Sequence, residues 1–134
     1  MIYLDSNIFL YAILYNDKKA VSCRNILLSV VRGDVEGATS FLTWDEVVYI
    51  VLKSIGGDNA VREGKKLLEL PNLKFVKVDE KIMRKAQELI REYRINPRDA
   101  IHAASAVVIG AKEIVSDDKD FDLIREVKRK KINS

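Results

Sequence analysis

Apolar residues along this chain follow two rhythms, short unbroken runs and longer stretches in which they recur every three or four positions. Ile2-Tyr3-Leu4 is a short run and predicts a buried strand. Residues 73–78, LKFVKV, alternate apolar and polar side chains, as a strand with one covered face does. EIVS at 113–116 predicts a third strand, and the stretch 37–40 a very short one. Helical periods fill the intervals. Helical sequence follows Asp5-Ser6-Asn7 and breaks near Asn16-Asp17. The next helix carries Cys23, Ile26, Leu27, Val30 and Val31 at i, i+3, i+4, i+7 and i+8, a core-facing stripe. Further helices are predicted over 42–54, from a cap at Asp58 or Asn59 to a point before Pro71, and after a cap at Asp79. The last of these has the stripe Ile82, Ala86, Leu89, Ile90 and Tyr93. Asn96-Pro97 opens a helix that is apolar on nearly every side as far as Ile109 and stops at Gly110. Such a helix is buried.

Strands separated by one or two helices pair in parallel through crossovers, so both faces of the sheet are covered. The class is α/β. With no internal repeat and no linker rich in Pro, Gly or Ser, the 134 residues are expected to form one domain, 1–134. In sheets of this kind functional groups gather at the carboxyl ends of the strands, near a topological switch point. Asp5 and the acidic stretch DDKDFD (117–122) each follow a predicted strand directly.

Composition narrows the class further. An apolar fraction of 48% with 32% charged residues is that of a globular chain. The longest apolar runs, such as VVYIVL at 47–52, are far too short to span a bilayer, and Asp5 interrupts anything resembling a signal sequence. The single cysteine, Cys23, forms no internal disulfide and suits a reducing compartment; on its helical stripe it is a small buried hydrophobe. A soluble cytoplasmic protein is expected. The net charge of +3 is mild and owes much to KRKK at 128–131, which reads as a solvated end.

Each acidic residue at an element end has an ordinary local role available. Asp5 can cap a helix beginning at Asn7 or Ile8. Thr43-Trp44-Asp45-Glu46 has the spacing of a capping box. Asp99 occupies the third helical position after Asn96, where its charge suits the helix dipole, and the loop acids can simply be solvated. Taken together these roles suffice less well, because helix starts converge where strands end. Clustered acids repel unless a cation offsets them, and an all-oxygen set suits Mg²⁺. One His and one Cys nearly exclude a tetrahedral zinc site. Asp99, His102 and Ser105 draw a polar line along the buried helix that needs partners, either structural ones or groups in an acidic cleft. Asp118, Asp120 and Asp122 have calcium-loop spacing, but Leu123 and Arg129 stand where Gly and Glu are required. A haloacid-dehalogenase-like phosphotransferase needs an Asp where Asn7 stands, and Asp79-Glu80 imitates a receiver phosphoacceptor poorly.

The apolar strand ending in D-S-N, the S-x-x-T-x-x-E of Ser40, Thr43 and Glu46, the R-D-A-I-H-A-A of residues 98–104 and the closing V-S-D-D-K-D-F together resemble PIN domains. Length and layout are most similar to the VapC ribonuclease toxins of prokaryotic toxin–antitoxin pairs. The resemblance implies a three-layer α/β/α domain with a central, mainly parallel sheet of about 4–5 strands. It further implies an endoribonuclease dependent on Mg²⁺ or Mn²⁺ that leaves 5′-phosphate and 3′-hydroxyl ends. By position, Asp5, Glu46, Asp99 and Asp118 match the catalytic, metal-binding acids, with Asp5 and Asp99 the most direct ligands. Asp120 is a plausible contributor and Asp117 the least favoured of the three loop acids. Ser6, Asn7 and Ser116 match supporting polar positions. RNA would meet Arg98 and Lys119, with Lys18 and Lys19 as further candidates. The family's partners, a small antitoxin and a second copy of the chain, are implied likewise. The alternative is a catalytically silent scaffold or RNA-binding module.

Overall fold

The structure, a computed structural model, describes residues 1–133. The elements run β1 (Ile2–Leu4), α1 (Ser6–Leu14), α2 (Lys18–Val31), β2 (Gly37–Ser40), α3 (Phe41–Ile55), α4 (Gly57–Leu68), β3 (Leu73–Val76), α5 (Glu80–Tyr93), α6 (Pro97–Ile109), β4 (Glu113–Val115) and β5 (Lys128–Lys130). A 3-10 turn over Lys119–Leu123 lies between β4 and β5. The five strands form one parallel sheet in the order β3-β2-β1-β4-β5. Helices cover both faces. The three-layer α/β/α arrangement is the one expected.

Side-chain alternation along the short central strands divides the interior. Tyr3, Ala38 and Ile114 enter the core built with α5 and α6, where Ile82, Leu89, Ala100 and Ala103 are buried. Ile2, Leu4 and Val115 enter the core on the other face, with Ile8, Cys23, Val30, Val47 and Val51 from α1, α2 and α3. A period of two then carries Asp5 to the side of Tyr3, and Ser116 to that of Ile114. This parity brings residues just past the strand ends toward α6.

Helix ends are set by local chemistry. The Asp5 carboxylate accepts from the Ser6 amide, so α1 starts one residue earlier than Asn7. Asp17, Asp79 and Asn96 cap α2, α5 and α6 through side-chain oxygens. Gly110, at φ +83°, closes α6 in the left-handed conformation that glycine adopts without strain.

Four local expectations give way to the structure. The capping box at Thr43 is not formed, because Ser40 caps α3 and accepts from the Leu42 amide. Thr43 is instead buried, with its hydroxyl 2.6 Å from that of Thr39. Neither Asp58 nor Asn59 caps α4; the N-cap is Gly56, and the Asn59 amide donates back to the Ile55 carbonyl. The strand predicted over 73–78 is β3 and ends at Val76. Most consequentially, KRKK is no solvated tail. Lys128–Lys130 pairs with β4 as the sheet's edge, with Lys128 and Lys130 exposed and the Arg129 side chain only 5% exposed. Exposed lysines suit an edge strand because they deter further pairing.

Tight packing on β2 gives a test of this arrangement. A Cβ at Gly37 would stand 2.7 and 2.9 Å from the two methyl carbons of the buried Val30. Gly37→Ala is expected to destabilise the protein by about 1–3 kcal/mol despite relieving the glycine's unfolded-state entropy. Adding Val30→Ala should recover part of that loss in a double-mutant cycle read by urea denaturation.

Candidate active site

Leu4 pairs with Val115, so the next residues, Asp5 and Ser116, leave adjacent parallel strands side by side. The strand order places this junction where connections diverge to either side, at the topological switch point. Ser116 is fully buried and its hydroxyl is saturated. It donates to Asp5 Oδ2 at 2.6 Å and accepts from the Asn7 side-chain amide at 3.2 Å and the Asp118 backbone amide at 3.0 Å. One hydroxyl thus ties β1, α1 and the acidic loop together. Asp5 Oδ1 accepts from the Ser6 amide at 2.8 Å.

Three carboxylates converge beside this junction. Oxygens of Asp99, Asp118 and Asp120 lie within 4.8 Å of one another. Asp99 arrives from the first turn of α6, where Asn96 is bonded to it twice, through the Asp99 backbone amide and through Oδ2. Asp118 accepts from the Asp120 amide, which curls the loop back on itself. Asp5 and Glu46 do not join this trio; they meet instead at His102. Its Nε2 is 2.5 Å from Glu46 Oε1 and 3.6 Å from Asp5 Oδ1, while its Nδ1 is 2.7 Å from the Tyr3 hydroxyl. Of the polar line on α6, Asp99 joins the acids and His102 reaches them, whereas the Ser105 hydroxyl donates back to the Ile101 carbonyl.

The remaining candidates separate clearly. Asp117 accepts from both Tyr11 and Lys19 and is held below the usual carboxylate range, chiefly by the Lys19 ammonium and then by the Tyr11 hydroxyl. That pairing fastens the loop to α1 and α2 and leaves Asp117 out of the trio. Lys19 is occupied by the same pair. Arg98 is exposed and lines a cleft of about 500 Å³ with Ser6, Leu10, Glu46 and Tyr49. Lys119 is exposed at the start of the 3-10 turn.

One support of the acidic loop has no signal in the sequence. Arg129 grips Asp122 through Nε and Nη2 at 2.9 and 3.0 Å, and Nη1 donates to the Ser116 carbonyl at 3.2 Å. It braces the acidic loop from beneath. Nothing in KRKK distinguishes it from its lysine neighbours except the guanidinium fork that such a grip requires.

Electrostatically the site is under tension. Burial raises the Asp5 pKa, with His102 and the Ser116 bond opposing. Asp99 is pushed up to about 7, by burial first and then by the charge of Asp118. Burial disfavours a charged His102, but the Glu46 bond and the charges of Asp5, Glu46 and Asp99 outweigh it, and its pKa rises. Carboxylates gathered in this way suit a hard cation with oxygen ligands. The Asn7 carbonyl oxygen fits as well, being a buried acceptor that lacks a hydrogen-bond partner among the described residues.

Comparison with known proteins agrees with this geometry. The profile of the PIN domain family matches residues 2–127, and the chain belongs to that family. No curated protein matches the sequence significantly. Among solved structures, the chain is similar to one in VapBC2 from Rickettsia felis bound to a fragment of promoter DNA, with a TM-score of 0.78, 24% identity and coverage of 99% of this chain and 100% of that one. It is similar to Mycobacterium tuberculosis VapC20, a toxin that cleaves the sarcin-ricin loop, at a TM-score of 0.75 and 16% identity, covering 91% and 93%. A toxin–antitoxin complex from Klebsiella pneumoniae gives 0.70 and 22%, covering 96% of each chain.

Asp99 also yields a prediction for the metal-free protein. A folded pKa near 7, above the ordinary 3.8, means the folded state holds the extra proton between those values. Stability from this group is present at low pH and is lost as pH rises through about 7. In EDTA, Asp99→Asn is therefore expected to be more stable than wild type at pH 8, on the order of 2 kcal/mol once screening by solvent at the outer acids is allowed for. The gap should close toward pH 4.5 in denaturant melts followed across that range.

Proposed function

We propose that the chain is a metal-dependent endoribonuclease of the VapC type, the toxin of a toxin–antitoxin pair. The observation that carries this reading is the convergence of Asp99, Asp118 and Asp120 at the sheet's switch point, with Asp5 and Glu46 alongside, in a member of the PIN family. Mg²⁺ or Mn²⁺, when bound, lowers the pKa of a coordinated water and polarises the scissile phosphate. The chain's own residues do the rest. Asp99, Asp118 and Asp120 would hold the ion, and Asp5 and Glu46, which meet at His102 beside them, would orient water. Ser116, Asn7 and Ser6 fix the Asp5 carboxylate so that its lone pairs keep one direction. Arg98, which lines the adjoining cleft, would meet backbone phosphates, and the exposed Lys119 would supply a separate phosphate contact.

Water, rather than the ribose 2′-hydroxyl, is the nucleophile in this scheme, giving 5′-phosphate and 3′-hydroxyl ends. A second histidine for metal-free acid/base cleavage of RNA is absent from the sequence. The antitoxin would cover the cleft with a basic side chain among the acids, and a homodimer acting in the cytoplasm is the assembly proposed. Support for the partner comes from the similarity to chains of toxin–antitoxin structures. No helix among the described residues is long and apolar enough to cross a membrane.

End-labelled total RNA incubated with purified protein tests the reading. Cleavage is expected with Mn²⁺, absent with EDTA, and abolished by Asp5→Asn in a protein that melts as wild type does. Cutting that persists in EDTA or in the variant would refute it. A silent scaffold would neither cut RNA nor be stabilised by Mg²⁺ or Mn²⁺.

A further inference from the structure

Glu46 and His102 come from opposite helix layers. Glu46 is on α3, whose Val47 and Val51 pack in the core with α1 and α2, whereas His102 is on α6, whose neighbours pack in the core on the other face. Their bond bridges the layers past the carboxyl end of the sheet. His102 is 1% exposed and Tyr3 fully buried; Nδ1 meets the Tyr3 hydroxyl, and Nε2 meets Glu46 at hydrogen-bond distance with Asp5 Oδ1 further off at 3.6 Å. A hydrogen on Nε2 directed at Glu46 Oε1 makes this contact a donated bond to a carboxylate acceptor. Nδ1 is engaged from behind by the Tyr3 hydroxyl, with the two rings edge to face at 5.7 Å. Rotation of the imidazole would break both bonds at once.

We propose that His102, fixed by Tyr3, is a positioning residue that holds the Glu46 carboxylate beside Asp5, at the border of the proposed metal site. A carboxylate on a long side chain, 18% exposed and facing other acids, would otherwise swing toward solvent. The Nε2–H bond anchors it and offsets part of the repulsion from Asp5. Second contacts of this type commonly alter metal affinity by about 10–100-fold when removed. The inference rests on the reading of the acids as a metal site, and the experiment below separates the two.

His102 is the chain's one histidine, so its imidazole gives a single set of ring ¹⁵N signals. In metal-free wild type, Nε2 is expected to carry a hydrogen whether or not Nδ1 is also protonated. Glu46→Gln should shift the Nε2–H signal, and Tyr3→Phe, which keeps the buried ring, should shift Nδ1. A ring protonated at Nδ1 alone, or an Nε2–H signal indifferent to Glu46→Gln, would overturn the proposal. Mn²⁺ affinity, read from free Mn²⁺ by electron paramagnetic resonance, supplies the second arm. His102→Gln places an amide donor near the Nε2 position and should bind Mn²⁺ almost as wild type does. His102→Asn and His102→Leu should bind about 10–100-fold more weakly. A purely packing role predicts the opposite order, with Leu the best tolerated, and that result would also overturn the proposal. If wild type binds no Mn²⁺, the metal reading fails and the ring signals alone decide whether His102 holds Glu46.

Discussion

Parallel pairing of β1 with β4, in a register that sets Leu4 against Val115, is the constraint from which the site follows. It delivers Asp5 and Ser116 to one point, and the Ser116 hydroxyl then organises three chain segments with one donated and two accepted bonds. Everything acidic is arranged around that junction. α6 contributes Asp99 and His102 one turn apart, and the loop after β4 curls Asp118 and Asp120 toward Asp99. β5, a strand of three residues, has its importance here: pairing with β4 seats Arg129 beneath the loop.

The arrangement is costly to the fold and useful to the chemistry. Burying Asp5 and crowding Asp99 with other acids raises their pKa values, so the charged forms are held against both desolvation and repulsion. A structure that only needed capped helices would not place these carboxylates together, since single caps at Asp17 and Asp79 serve α2 and α5 without a cluster. Tension of this kind is relieved by a divalent cation, which connects the energetics of the folded chain to the activity proposed for it.

Much of this was legible in the sequence because the signals were local. The Asn96-Pro97 opening of α6, the Asp79 cap and the stripe through Ile82, Ala86 and Leu89 are short-range patterns whose physics does not depend on the rest of the chain. The resemblance to PIN domains implied Asp5, Glu46, Asp99 and Asp118, of which the structure gathers Asp99 and Asp118 in one trio with Asp120. What stayed hidden depended on distant contacts. The role of Arg129 needs the pairing of β5, which its flanking lysines disguise. Ser40 rather than Thr43 caps α3, and Thr43 is bonded to Thr39 inside the core, a contact no local spacing encodes. Which oxygens form the tight trio, and that Glu46 reaches His102 rather than joining it, are likewise matters of three-dimensional placement.

The acids gathered past the carboxyl ends of β1 and β4 are proposed to hold a divalent cation. Crystals of the wild-type protein grown with Mn²⁺, with diffraction recorded near the manganese absorption edge, test it most directly. An anomalous difference peak is expected among Asp99, Asp118 and Asp120, with Asp5 bordering it. An empty cluster at saturating Mn²⁺, or a peak bound only at other carboxylates of the surface, would contradict it.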